Sequence, residues 1–395
     1  MSAGQRRAQA AIPRGVWVLG FVSLFMDVSS EMIHALLPLY LTVVLGSSAL
    51  TVGLIEGVAE STALIVKVFS GTLSDRWQSR KGLTAFGYGL AALSKPLFAL
   101  ATGPALVFVA RFIDRIGKGI RGAPRDALIA DITPPEVRGA AFGLRQSLDT
   151  VGAFAGPLLA MALMLAWHDD FRAVFWVAVV PALLSFALVT AGVREPDGDP
   201  ARAGERRRMD FGGMGALGSA YWWVVAAAVA LTLARFSEAF LILRAGNLGI
   251  DPAYAPLVLV AMNVVYSLAA YPVGRLADRM PARTLLLAGI AFLIAADVVL
   301  AIGTDAAWLG LGVALWGLHM GFTQGLLAAL VAQYAPAHQR GTAFGFFNLA
   351  MGIAMLLASA AAGAMWQFIG PASTFWTGAV LALVAGGVTM AATRR

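Results

Sequence analysis

The sequence contains no cysteine. Disulfides and thiolate metal sites are therefore excluded. Charge is also scarce: Asp, Glu, Lys and Arg make up 13% of the 395 residues, where soluble domains carry roughly a quarter. There is no HExxH, no GxSxG and no phosphate-cradling GxxxxGK[ST] loop, so hydrolase and ATPase chemistry find no support and the chain is read as not an enzyme. Apolar residues fill the space, at 59% with a mean hydropathy of +0.76. Such a composition cannot be solvated as a compact globule. A membrane-spanning helix needs roughly 20 apolar residues, which leaves room here for about a dozen. Lipid-embedded backbone must satisfy itself, so only helices or closed barrels can span. The apolar runs are long and continuous rather than alternating, which favours helices.

The runs predict twelve spans, near residues 16–44, 51–74, 82–102, 105–127, 139–166, 172–193, 220–246, 253–277, 283–302, 306–332, 341–365 and 371–391. The first contains Asp27 and Glu31, which a cleaved signal core would not carry, so it is read as a retained span. Arginine and lysine alternate by connection. Arg76, Arg80 and Lys81, then Arg138, then Arg194 to Arg208, then Arg279 and Arg283, then Arg340 all fall on one side with both tails. The other side has essentially Arg172. By the positive-inside bias both termini are expected in the cytoplasm. The net charge of +7 is thus read as topology, with no nucleic-acid partner. The one long polar stretch, within residues 194–219, is expected to link an N-terminal six-helix bundle (1–193) to a C-terminal one (220–395).

The two halves repeat. "GTLSDRWQSRK" from Gly71 is echoed by "GRLADRMPART" from Gly274, and "RGAAFG" from Arg138 by "RGTAFG" from Arg340. The offsets are 203 and 202 residues. Duplication of six spans is a transporter signature, with the binding site near the midplane between the repeats. On these motifs the chain resembles the major facilitator superfamily (MFS) over nearly its whole length. Gly71, Leu73, Asp75, Arg76, Arg80 and Lys81 match the family's loop motif, with Gln78 where the family usually has glycine. The resemblance implies that Asp75 and Arg76, with Asp278 and Arg279 as counterparts, help latch the cytoplasmic side. It also implies an all-α fold of two pseudo-symmetric bundles and a cavity lined by spans one, four, seven and ten.

"RFIDRIGKGIRGAPRDALIAD" (111–131) holds eight charged residues. On a helix Arg111, Asp114, Arg115, Lys118, Arg121, Arg125 and Asp126 fall within an arc of about 140°. Intramembrane charges face a cavity or a partner, so this stripe is expected to wall an aqueous chamber. Ser23, Asp27, Ser30, Glu31, His34 and Pro38 share a face of span one. Glu56, Glu60 and Lys67 share one of span two; Arg145 and Asp149 lie one turn apart in span five; Arg235 and Glu238 lie three apart in span seven. The last two sets are expected to be pairs. Lys67 and Arg244 are expected to snorkel to an interface. In the C-terminal half His319 and Gln324 are cavity candidates.

Arg111, Arg115, Lys118, Arg121, Asp27, Glu31, His34, Arg235, Glu238, His319 and Gln324 are therefore the substrate-binding candidates. For proton coupling they are Asp27, Glu31, Glu56, Glu60, Asp114, Arg115, Arg145 and Asp149, because buried carboxylates beside cations hold protons conditionally. "RIGKGIRGA" (115–123) resembles the family's span-four motif, which implies a coupling role for Arg115; Lys118 replaces its glutamine. "GAFAGP" (Gly152, Gly156, Pro157) resembles the glycine-proline motif of proton-coupled drug antiporters, with Ala160 and Met161 where further glycines would follow. Glycines four apart allow close helix approach. The expectation is a monomeric, multi-pass transporter of a bacterial inner membrane, with the proton gradient as energy source and no cofactor. It would export a small, partly anionic solute or drug. Uptake, transport of a metal or metal chelate on Asp27, Glu31, His34, His319 and Met320, and a non-transporting sensor or scaffold remain as alternatives.

Overall fold

The computed structural model describes residues 11–77, 79–195, 217–277, 279–336 and 339–392, the side chains of 71–77 and of residue 392 excepted. Most of residues 194–219, and Asp278, lie outside the described residues.

The described chain is helical, without strands. The helices are Arg14–His34, Ala49–Trp77, Arg80–Ala99, Pro104–Ile132, Arg138–Ala166, Phe171–Gly192, Ser219–Ala234 with Ala239–Asn247, Leu257–Ala277, Ala282–Ile302, Ala306–Tyr334, Arg340–Phe368 and Pro371–Ala392. They are called spans one to twelve, the split pair being span seven. Among the described residues ten are long and apolar enough to cross a membrane. Spans three and four are long enough but more polar, because they carry Lys95 and the charged stripe.

Side-chain caps set several ends. Asp170 accepts from the Ala173 amide ahead of span six. Asp305 accepts from Ala307 and Trp308 ahead of span ten. These satisfy amides that a helix start leaves unbonded.

Two spans depart from the continuous helices predicted. Span one stops at His34 and resumes as Leu37–Leu39 and a π turn at Tyr40–Val44. Pro38 has no amide hydrogen to give the His34 carbonyl, which weakens the helix at that point. Span seven unwinds over Arg235–Glu238. No proline explains this break; the freed Ser237 amide donates instead to Ser359 Oγ of span eleven at 3.2 Å. Phe236 is buried there between Phe240, Trp316 and Phe375, at 5.5, 5.3 and 5.7 Å between ring centroids. Span four also runs five residues past its predicted end, to Ile132.

The chain divides into two compact units. Unit one is 1–34 with 65–208; unit two is 35–64 with 209–395. Residues 35–64, which the sequence alone groups with the first half, pack with the second. In unit one, span one packs on spans five and six, and span three on four and six. In unit two, span seven packs on eleven and twelve, and span nine on ten and twelve. The duplicated sequence thus repeats its helix pairings. Small residues allow the closest of these. A Cβ on Gly117 would lie 2.6 Å from the Gly87 carbonyl, and one on Gly87 2.8 Å from that of Gly117, so spans three and four meet backbone to backbone.

Candidate functional site

Unit one gathers its charges on the inward faces of spans one, three, four and five. Span four turns Phe108, Val109 and Phe112 outward, while Arg111, Asp114, Arg115 and Arg121 are buried. Lys118, one turn on, is exposed. The stripe is therefore not one open wall, as expected from its arc. Much of it faces span three.

The reason is Lys95, a residue the sequence pattern did not single out. It lies in span three, 1% exposed. Its Nζ donates to Asp114 Oδ1 at 2.8 Å and to Ser30 Oγ of span one at 2.9 Å. Arg115 Nε stands 3.6 Å from the other Asp114 oxygen. Asp114 is thus held in a buried ion pair with a cation on each side. A lone lysine in an apolar run gives little signal, since snorkelling would explain it equally well.

A second network lies on the same helices. Arg125 Nη1 donates to Ser23 Oγ at 2.9 Å and to Tyr88 OH at 3.4 Å. Its Nε donates to Asp126 Oδ1 at 3.1 Å. Arg145 of span five donates to the same oxygen at 3.3 Å and pairs with Asp149 one turn away. The Arg121 guanidinium lies 4.7 Å from the centre of the Tyr88 ring, a cation–π contact.

The span-one acids sit opposite. Asp27 and Glu31 are half-buried. Lys118 and Arg121 act electrostatically on Asp27, as does the like-charged Asp149. Lys118 and Arg115 act on Glu31, which also has His34 Nδ1 at 3.3 Å. Span five makes this approach possible. A Cβ on Gly152 would lie 2.9 Å from Asp27 Cβ, and one on Gly156 2.8 Å from Glu31 Cβ. The residues of "GAFAGP" therefore press directly behind the two acids. At Gly152 and Gly156 no span-five side chain separates the two helices, and the carboxyls of span one lie within the electrostatic reach of span four.

Of the remaining candidates, Glu56 and Glu60 belong to unit two, Glu56 fully buried and Glu60 half-buried. His319 is buried, with Nδ1 2.9 Å from the Gly289 carbonyl and Nε2 without a partner among the described residues. Gln324 is half-buried. Arg235 and Glu238 stand in the break of span seven, so their spacing no longer places them on one helical face. Arg244 corrects the snorkelling expectation. It is 7% exposed, and donates to the Leu300 and Gly303 carbonyls at 3.1 and 2.7 Å. A cation there satisfies carbonyls that the end of span nine leaves unbonded. Lys67 is exposed.

Of the gating candidates, Gly71, Asp75 and Arg76 lie on the last turns of span two, their side chains outside the described residues, and Asp278 lies outside them altogether. Arg279 is exposed in the turn after span eight. Arg80 is placed clearly. It pairs with Asp131 and donates to the Ala127 carbonyl at 3.2 Å, tying the start of span three to the extended end of span four. No group of three or more potential metal ligands occurs among the described residues.

The comparisons follow this architecture. The Major Facilitator Superfamily model matches residues 19–244 and 212–395. An uncharacterised MFS-type transporter of Methanocaldococcus jannaschii is 30% identical over 95% of this chain and 94% of its own length. The multidrug resistance protein MdtH of Photorhabdus laumondii is 30% identical over 41% of the chain and 39% of its own. The nucleoside transporter NupG superposes with a TM-score of 0.78 at 14% identity, covering 96% of this chain and 99% of that one. The peptide transporter POT gives 0.75 at 15% identity, covering 100% and 98%. The likeness to solved structures carries the fold; the match of both halves to the family model carries the kinship, and the chain belongs to the major facilitator superfamily as a membrane transporter.

Proposed function

We propose that this transporter exports a small organic solute of anionic character in exchange for protons, by alternating access, across a bacterial cytoplasmic membrane. The observation that carries the reading is the excess of cations over acids on span four, opposite the Asp27–Glu31 pair. Span four carries five cations, Arg111, Arg115, Lys118, Arg121 and Arg125, against three acids, Asp114, Asp126 and Asp131, and Asp114 is also paired with Lys95 of span three. The surplus attracts an anion, and Asp27 and Glu31 lie within the electrostatic reach of the same cations. A proton on either acid and an anion on the cations therefore favour or oppose one another through shared charges. That is the thermodynamic content of coupling. The partial similarity to MdtH supports the outward direction. An anion-binding subsite also suits these residues better than a metal, given the missing ligand cluster.

The test is a ligand-stabilisation screen on the purified chain at two pH values, using organic acids, phosphorylated compounds, neutral drugs and divalent metals. Anionic compounds should raise Tm in the wild type and not in Arg115→Ala. Transport of the strongest hit in proteoliposomes should then be driven by an opposed proton gradient, and its pH profile should shift when Asp27 or Glu31 is neutralised. Stabilisation by metals or neutral compounds alone, or an equal response in Arg115→Ala, would overturn the reading.

A further inference from the structure

Span nine carries one acid, Asp297, in a helix that is otherwise apolar after its first turn. It is fully buried. Neither carboxyl oxygen has a hydrogen-bond partner among the described residues.

Its surroundings are closed. Span nine packs on spans ten and twelve. A Cβ on Gly378 of span twelve would lie 2.5 Å from Asp297 Oδ2 and 3.0 Å from the Phe236 ring. The carboxyl and the ring of Phe236, the aromatic residue of the span-seven break, therefore face the same glycine backbone. The indole N–H of Trp316, whose ring lies tilted against Phe236, has no acceptor among the described residues either.

The charged and titratable groups of the neighbouring elements are engaged elsewhere or lie out of bonding range. His319 of span ten turns Nδ1 to Gly289, two turns earlier on span nine. Arg244 of span seven spends its guanidinium on Leu300, Gly303 and Asn247. Arg235, in the break, forms no bond to Asp297. Span twelve has no ionisable side chain between Pro371 and Ala392. Span eight, which touches span nine lightly, brings Tyr266, Tyr271 and Arg275, none bonded to the carboxyl.

An ionised carboxylate in such a place is far costlier than a neutral one, and a group so placed takes up a proton instead. A metal ion or an organic cation would need room that Gly378 and Phe236 occupy. We propose that Asp297 is a proton-binding site, which holds its proton in this packing and releases it only when Phe236 moves with the break in span seven. The break is the natural hinge, because the helical ladder is interrupted there and short-range bonds replace it: the Ser237 amide donates to Ser359 Oγ, the Ala239 amide to Ser237 Oγ, and the Phe240 and Leu241 amides to the Ser237 and Glu238 carbonyls. The site is separate from the charged cluster of unit one and does not depend on the transport reading.

The test is infrared spectroscopy of the purified full-length chain carrying 13C-labelled aspartate, in lipid at neutral pH. A carboxylic-acid carbonyl band shifted by the label is expected in the wild type and should be lost in Asp297→Asn. On transfer to D2O the band should exchange several-fold faster in Phe236→Ala than in the wild type. Labelled aspartates absorbing solely as carboxylates, or an acid band of undiminished intensity in Asp297→Asn, would overturn the site. Equal exchange rates would overturn the role of Phe236. Should Asp297→Asn fail to fold, Asp297→Glu, which removes the label from that position, supplies the same loss of signal.

Discussion

At the scale of single residues, Lys95 shows how burial changes the meaning of a charge. Its ammonium and the Asp114 carboxylate are each nearly inaccessible, and a buried pair is costlier to break than to replace. Lys95→Met should therefore destabilise the protein by about 3 kcal/mol, because Asp114 would lose its short ion pair and keep only Arg115 at 3.6 Å and the electrostatic influence of Arg111 and Arg121. The double variant Lys95→Met/Asp114→Leu should recover most of that loss. Thermal unfolding in detergent measures both; a single variant as stable as wild type would show that the pair is not what neutralises Asp114. Span four's charges were legible as a helical stripe because seven share one face. Lys95 and the buried Arg244 were not, because each is a lone cation in an apolar run whose partners lie on a different helix; nor was Asp297, a lone acid whose surroundings come from other helices.

At the scale of the element, spans one and five are held by contact between backbone and side-chain roots. Gly152 meets the Leu24 carbonyl and Gly156 the Val28 carbonyl, each at 2.8 Å from an added Cβ. Gly156→Leu should force the helices apart and lower stability by about 1–3 kcal/mol, as overpacking does. It should also displace Glu31 relative to span four. Unfolding temperature and the pH profile of transport should both change; a variant that alters neither would mean the seam is loose. The glycine spacing was visible in the sequence, whereas the identity of its partner was not. The break in span seven was invisible for a different reason. Without proline or glycine, residues 235–238 read as helix, and it is Ser359 of another span that takes up the freed amide.

At the scale of the molecule, segment 35–64 joins unit two through its seam with span eleven. An added Cβ on Gly363 would lie 2.8 Å from both the Ala49 carbonyl and Leu50 Cα. A transporter that alternates its access must rearrange its helix contacts in each cycle, so a covalent tie across this seam should stop turnover. Because the chain has no cysteine of its own, Leu50→Cys with Gly363→Cys tests this directly. Oxidation should arrest transport and reduction restore it; undiminished flux in the oxidised form would show that the seam stays closed throughout the cycle. What the sequence determined unaided is the membrane class, the helix count, the duplication and the charged stripe of span four. All of these follow from composition and from periods local to one helix. Which charges are sealed in pairs, which carboxyl is left alone among aromatic rings, where a helix breaks and which unit a segment joins were decided by tertiary structure alone. Those outcomes depend on which surfaces of distant helices meet, and that is a property of packing between segments rather than of any one of them.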